Sequence, residues 1–423
     1  MVKKNVPDWL NSSLWSTPSR TASIDPESPV AVPKPVLKVS EPPASSSANE
    51  DQGPSANASN SIATTTQPPA AEELSRQAQL LQELSKKVIN MGELRKLASQ
   101  GIPSGSGVRA TLWKLLLGYL PIDQSLWPSE LTKKRSQYKH FKDELLMNPS
   151  EITRRLEKSS LENHELDISQ GFLSRSSINH GEHPLSLGQS SVWNQFFKDS
   201  EIIEQIDRDV MRTHPDIYFF SGNSPLAKSN QEALRSILII FAKLNPGIRY
   251  VQGMNEILAP LFYVLKNDPD AENVAYAEAD SFFCFVELLS SVRDNFVQQL
   301  DNSVVGIRAT ISRLSQLLKE QDEELWRHLE ITTKVVKPEF YAFRWITLLL
   351  TQEFKFSESV LIWDALLSDP GGVQDTLLRV CCAMLIIVRR RLLAGDFTSN
   401  LKLLQKYPST NIAHLLYVAN KLR

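Results

Sequence analysis

A chain of 423 residues with 46 basic and 48 acidic side chains carries almost no net charge, which argues against nucleic acid as its partner. Its apolar fraction of 42% and charged fraction of 22% are those of a soluble protein with ample length for a core, about two or three domain-sized units or one large helical domain. The three cysteines, Cys284, Cys381 and Cys382, sit in apolar runs without zinc or disulfide spacing, so no metal centre or disulfide framework is expected and a reducing, intracellular compartment fits.

No continuous apolar core of a signal peptide stands at the N-terminus, and the longest apolar run, Val380 to Val388, falls far short of the roughly 20 residues of a membrane span. Val2 stands where myristoylation needs glycine, and the chain ends without a Cys box. A cytoplasmic protein is expected, any membrane contact depending on a partner or on surface patches.

Residues 1–70 read as a disordered tail, rich in Ser, Pro, Ala, Thr and Asn from Ser12 to Ala70, with few large apolar side chains to offset the entropy of ordering. The cluster Trp9-Leu10 and Leu14-Trp15 is either an anchor for a partner or a remnant of solvated tail. Residues 71–100 form two N-terminal helices. In the first, Leu74, Ala78, Leu81 and Val88 recur at helical spacing, and the second, Met91 to Ser99, is stopped by Gly101 and Pro103. Arg109 and Trp113, four apart, share the face of the next helix, where the arginine can stack on the indole; a packed anchor competes with a binding element there. The stretch Lys133 to Lys142 is locally basic and reads as a solvated helix face. Asn148 to Ser191 is polar and Ser-rich, an inserted loop, and its His180 and His183 lack the companions of a metal site.

Beyond the loop the period is helical throughout, and strand signals are nearly absent. Ile202, Ile203, Ile206 and Val210 mark one buried face, followed by helices at Ala233 to Leu244, Asn255 to Leu265, Ala279 to Val292 and Val305 to Leu318. Further helices fall at Tyr341 to Gln352, Ser359 to Leu367, Leu377 to Leu393 and His414 to Lys421. The fold class is all-α, an irregular multi-helix domain without a fixed repeat.

Two helix breaks organise the middle of the chain. Pro215 expels His214 from the α region and ends the first helix just past Arg212, with Asp209 three residues earlier and able to pair with it. Pro246-Gly247 breaks the next, and Gly253 permits unusual dihedrals directly after Gln252. No carboxylate pair, Ser/His/Asp set, metal cluster or phosphate-cradling glycine loop accompanies them, so a self-contained active site is missing. An arginine at a helix end is ordinarily a solvated cap or a surface ion pair. Its planar fork also matches phosphate oxygens, and a glutamine amide orients water.

Three patterns occur in order: Arg109-x-x-x-Trp113, Ile206-x-x-Asp209-x-x-Arg212 and Tyr250-x-Gln252-Gly253. With Gly101-Ile102-Pro103, Asn245-Pro246-Gly247 and Trp363-Asp364 around them, the chain resembles the TBC domains of Rab GTPase-activating proteins. The resemblance covers residues 101–370, with residues 371–423 completing the helical domain. His183-Pro184-Leu185-Ser186 and Trp193-Asn194 resemble one group within that family.

The resemblance implies that Arg212 and Gln252 enter the nucleotide site of a GTP-bound Rab as two catalytic fingers, Gln252 standing in for the GTPase's own glutamine. Asp209 and Tyr250 would hold the fingers. Ile206 and Gly253 complete their motifs, and Arg109 and Trp113 would brace the helix behind. It implies no cofactor of the chain's own, since GTP and Mg belong to the partner. It also implies a role in vesicle trafficking, with transient presence at endomembranes through the lipidated Rab. The alternative is a non-catalytic Rab-binding adaptor on the same fold.

Overall fold

The computed structural model describes residues 69–103, 107–146, 192–332 and 336–423. The expectations for the N-terminal tail, its Trp9 to Trp15 cluster and the polar loop with His180 and His183 lie outside them. The described elements, which belong to one compact unit, are helical: α1 Pro69–Leu84, α2 Met91–Ser99, α3 Arg109–Leu116, α4 Trp127–Leu145, α5 Val192–Met211 and α6 Pro225–Leu244. There follow α7 Met254–Lys266, α8 Ala271–Ala275, α9 Ala277–Val292, α10 Ile307–Gln321, α11 Glu323–Arg327, α12 Ala342–Thr347, α13 Phe356–Ser368, α14 Val373–Ile387, α15 Arg389–Ala394, α16 Phe397–Gln405 and α17 Ile412–Lys421. Among the described residues the extended pairing is limited to one isolated bridge, Val88 with Asp123.

The boundaries follow from local chemistry. Asn90 caps α2 by accepting from the amides of Gly92 and Glu93, while Ser224 accepts from Ala227 at the start of α6, with Pro225 at the first helical position. α6 ends at Leu244 because Pro246 cannot continue it.

Two central helices carry the core. α7 is buried on almost every side and packs on α9, which also receives α4 and α6. α14, equally apolar around Val380 to Leu385, packs on α17, α10 and α13. Contacts between α9 and α14 join both groups in one hydrophobic cluster. A helix apolar all round is satisfied only at such a centre.

Three sequence expectations change. The helix expected from Leu377 to Leu393 is interrupted at Val388, where α14 gives way to α15, and the Tyr407 hydroxyl donates to the Met384 carbonyl at 2.9 Å near the break. The helix expected from Tyr341 to Gln352 stops at Thr347, because Leu349 and Leu350 adopt φ of 48° and 64°. There Trp363 Nε1 donates to the Leu349 carbonyl at 3.1 Å, holding the turn from within the core.

The basic stretch of α4 is not simply a solvated face. Arg135 is buried and donates to both carboxylate oxygens of the buried Asp280 on α9, at 3.0 and 2.9 Å. Lys114 Nζ lies 2.8 Å from the same carboxylate, and Tyr119 donates its hydroxyl to it at 2.8 Å. α4 is therefore fastened to α9 by charge, a use of basic residues that composition alone does not distinguish from solvation.

Candidate functional site: two helix ends joined through Asp209

α5 stops at Met211, and the Arg212 amide turns back to the Asp209 carbonyl at 3.2 Å, so Arg212 stands one residue beyond the helix. Its guanidinium donates to Asp209 Oδ1 from Nη2 at 2.8 Å and from Nε at 3.1 Å. The buried Asp209 uses its other oxygen to accept the Tyr250 hydroxyl at 2.7 Å. Burial, followed by the Asp209 charge, raises the Tyr250 phenol well above its ordinary range, so it remains a donor. The first helix end and the loop of the second thus share one carboxylate. Ile206, fully buried on the same helix, anchors α5 one turn before Asp209.

Gln252 occupies the loop just ahead of α7 and is partly exposed; among the described residues nothing hydrogen-bonds its amide. Gly253 holds φ of 100°, which an L side chain adopts only under strain, and a Cβ there would run into Leu348 Cδ2. That glycine turns the chain from the Gln252 loop into α7.

Further residues that sequence reasoning did not assign complete the joint. Asn255 Nδ2 lies within donor distance of the Asp209 carbonyl at 3.2 Å, Thr213 Oγ1 at 2.9 Å and Glu256 Oε1 at 3.1 Å. The Thr213 hydroxyl donates to the Asp209 carbonyl at 2.9 Å. One amide therefore clasps the end of α5 to the start of α7. Asn255 and Glu256 are polar residues in a helix otherwise buried and apolar, and that contrast is the sequence signal which marks them.

Beneath this joint His214 and Glu256 face each other, Nε2 to Oε2 at 3.2 Å, each side chain 10% exposed. Neither atom has an aligned hydrogen-bond partner among the described residues. Burial lowers the His214 pKa to about 4 and raises that of Glu256 to about 7, against the nearby Gln352 hydrogen bond and the Arg212 charge. Pro215 does expel His214 from the α region, but into the left-handed one at φ 39°, with the imidazole edge-on to Phe356 at 4.8 Å between ring centres.

Arg109 and Trp113 form a second, separate cluster. Instead of stacking on one another they converge on the buried Asp364 of α13. Arg109 Nε reaches Oδ1 and Oδ2 at 3.1 and 3.2 Å, Nη2 reaches Oδ2 at 3.0 Å, and Trp113 Nε1 donates to Oδ1 at 2.8 Å. Nη2 also donates to the Ile102 carbonyl at 2.7 Å, and the Trp113 ring stacks on Trp363 at 5.8 Å. Burial pushes the Asp364 pKa up to about 6, with Arg109 opposing. α3 also touches α7, the helix that follows Gln252.

Among the described residues no group of three or more His, Cys, Asp or Glu side chains is placed to hold a metal ion. What the first cluster offers is a partly exposed guanidinium restrained by one carboxylate, on a loop tied to one bearing an unpartnered amide. The arginine fork can exchange Asp209 for phosphate oxygens of similar geometry.

Comparison with known proteins bears on most of the chain. The Rab-GTPase-TBC domain model matches residues 185–393, which includes both helix ends but not Arg109 and Trp113. The chain is 37% identical over 409 residues to TBC1 domain family member 13 of Mus musculus and of Homo sapiens, covering 82% of this chain and 98% of each relative. It is 30% identical to a TBC domain-containing protein of Schizosaccharomyces pombe, over 80% of this chain and 71% of that one. Among solved structures it matches the Ypt/Rab-GAP domain of Gyp1p with a TM-score of 0.62 and 25% identity, covering 83% of this chain and 97% of that chain. The helical architecture of the described residues, three ordered motifs and coverage of 71% to 98% of these relatives agree: the chain belongs to the Rab-GTPase-TBC domain family.

Proposed function

We propose that this protein accelerates GTP hydrolysis by Rab-type small GTPases, supplying Arg212 and Gln252 in trans to a GTP-bound partner that holds the nucleotide and its Mg²⁺. The observation that carries the reading is the Asp209 carboxylate, which binds Arg212 through one oxygen and Tyr250 through the other and so fastens the two finger loops to each other. Developing charge on a transferred phosphoryl group is stabilised by a planar guanidinium, and a glutamine amide both donates to and accepts from an attacking water. On docking, Arg212 exchanges Asp209 for the phosphate, and Asp209 with Tyr250 keeps its base in place. The exposed Met211, next to Arg212 in the chain, and the exposed Tyr218, six residues beyond it, are residue types enriched in interface cores.

Action on Rabs places the protein in vesicle trafficking, cytoplasmic and visiting endomembranes through the lipidated partner. No helix among the described residues is long and apolar enough to cross a membrane. The test is phosphate release from a panel of GTP-loaded Rabs, with Arg212→Ala as control. Stimulation of at least one Rab is expected, lost in the variant. Equal stimulation by the variant excludes the finger mechanism, and binding without stimulation across the panel identifies an adaptor instead.

A further inference from the structure

We propose that Arg249, on the rim of the Gln252 loop, is a partner-binding residue that meets an acidic side chain on the GTPase surface beside the nucleotide. The inference rests on the Rab-activating reading above. Its starting point is backbone geometry. After α6 the Arg249 amide donates to the Asn245 carbonyl at 2.7 Å and the Ile248 amide to the same oxygen at 3.1 Å, closing a tight turn that leaves Arg249 at φ 60°. Glycine fills a left-handed position of this kind without steric cost, and an arginine does not.

The other non-glycine residues with positive φ are held by packing: His214 against Phe356, and Leu349 and Leu350 in the core. Arg249 is exposed, and among the described residues its guanidinium has no ion pair or hydrogen bond. Nothing in the fold accounts for an arginine there. An unfavourable backbone conformation retained at a residue whose side chain has no partner among the described residues, three positions from Gln252, points to a contact made outside the chain.

The kind of contact follows from direction and chemistry. Tyr250 turns inward to Asp209, whereas its neighbour Arg249 is exposed and makes no bond to the carboxylate on which Arg212 rests. It therefore addresses the surface around the nucleotide rather than the phosphate that Arg212 serves. A permanently charged planar fork at that rim fits a carboxylate.

The experiment uses the full chain as Arg249→Gly and Arg249→Glu, with wild type and Arg212→Ala as references. It measures thermal unfolding, kcat and KM for stimulated hydrolysis at two ionic strengths, and direct binding to the GTP-bound Rabs. Arg249→Gly is expected to unfold at the wild-type temperature or above it, to keep kcat and to raise KM about tenfold, as loss of a charged hydrogen bond does, with weaker salt dependence. Arg249→Glu should raise KM further. Unchanged KM and binding in both variants, or a loss of kcat at constant KM, overturns the inference; so does a clearly lowered unfolding temperature for Arg249→Gly, which would make Arg249 a structural residue. Failure of wild type to stimulate any Rab would instead count against the function proposed above, and the binding measurements would still decide the role of Arg249.

Discussion

The protein holds two arginine–aspartate pairs from its motifs, and they differ in what surrounds them. Arg212 is 44% exposed and meets Asp209 through a single oxygen, whereas Arg109 is 15% exposed and grips both oxygens of Asp364, with Trp113 and the Ile102 carbonyl completing the set. A buried pair saturated with donors is a fixed joint, because separating it would strand charge in the core. Asp209 is as buried as Asp364 and keeps the Tyr250 hydroxyl, but its arginine is half in solvent and can leave for another acceptor at smaller cost. The same two residue types thus make a clamp in one place and a releasable group in the other, and burial decides which.

Substitutions that break each pair sharpen the contrast. Arg212→Ala should lower stimulated kcat by about 10³ to 10⁵, roughly 4 to 7 kcal/mol, with a smaller stability loss in urea than Asp364→Ala, because Asp209 keeps the Tyr250 hydroxyl. Asp364→Ala should do the reverse. It leaves Arg109 and the Trp113 indole without their shared acceptor and should cost about 3 to 5 kcal/mol of stability in urea titration. Asp364→Asn keeps an acceptor for Trp113 and should cost less. A strong stability loss in Arg212→Ala, or none in Asp364→Ala, would erase the distinction.

The joint beneath the fingers has a pH signature that the clamp tests do not. Glu256 has a folded pKa near 7 against an ordinary value of 4.5, so between these limits the unfolded chain releases its proton while the folded one keeps it. Wild-type stability contributed by this group is present at low pH and is lost as pH rises through that window. His214, lowered to about 4, works in the opposite sense, its contribution being lost as pH falls below about 6.5. Glu256→Gln removes the first dependence only. Relative to wild type the variant should gain about 2.5 kcal/mol between pH 5 and pH 8. Parallel stability curves across that range would show that the carboxyl is not held protonated.

Much of the cluster around Asp209 was legible in the sequence because its chemistry coincides with punctuation: Pro215 and Gly253 mark helix breaks, and Asp209 and Arg212 are spaced to pair on one turn. The motif resemblance supplied the rest of the pairing, including Tyr250. Asn255, Glu256 and His214 remained unassigned because their partners lie across the joint, as Asn255 does from the Asp209 carbonyl 46 positions away, and no local period encodes such a contact. The expected stacking of Arg109 on Trp113 gave way to convergence on Asp364 for the same reason: spacing shows that two side chains share a face, not that a carboxylate 255 residues on arrives between them. The long helices of the core were legible, whereas the short α8, α11 and α16 had no expectation of their own; the breaks at Val388 and after Thr347 lie inside apolar runs without proline or glycine, and the site's own helix ends do not.

The smallest expected effect isolates the link between the fingers. Tyr250→Phe removes one hydroxyl and leaves a ring of the same shape in the same buried place, so the fold should lose about 2 kcal/mol, the worth of one hydrogen bond to a carboxylate. The change at Asp209 is more specific. Its Oδ2 loses a donor, and the two bonds from Arg212 to Oδ1 become the carboxylate's principal side-chain satisfaction. Arg212 is then held more firmly at rest while the loop bearing Gln252 loses its tie to α5. Under the proposed two-finger mechanism both changes fall on the step in which Arg212 and Gln252 reach the phosphate and not on docking, so kcat should drop about tenfold with KM nearly unchanged. A rise in KM at constant kcat would mean that Tyr250 serves the docking surface instead.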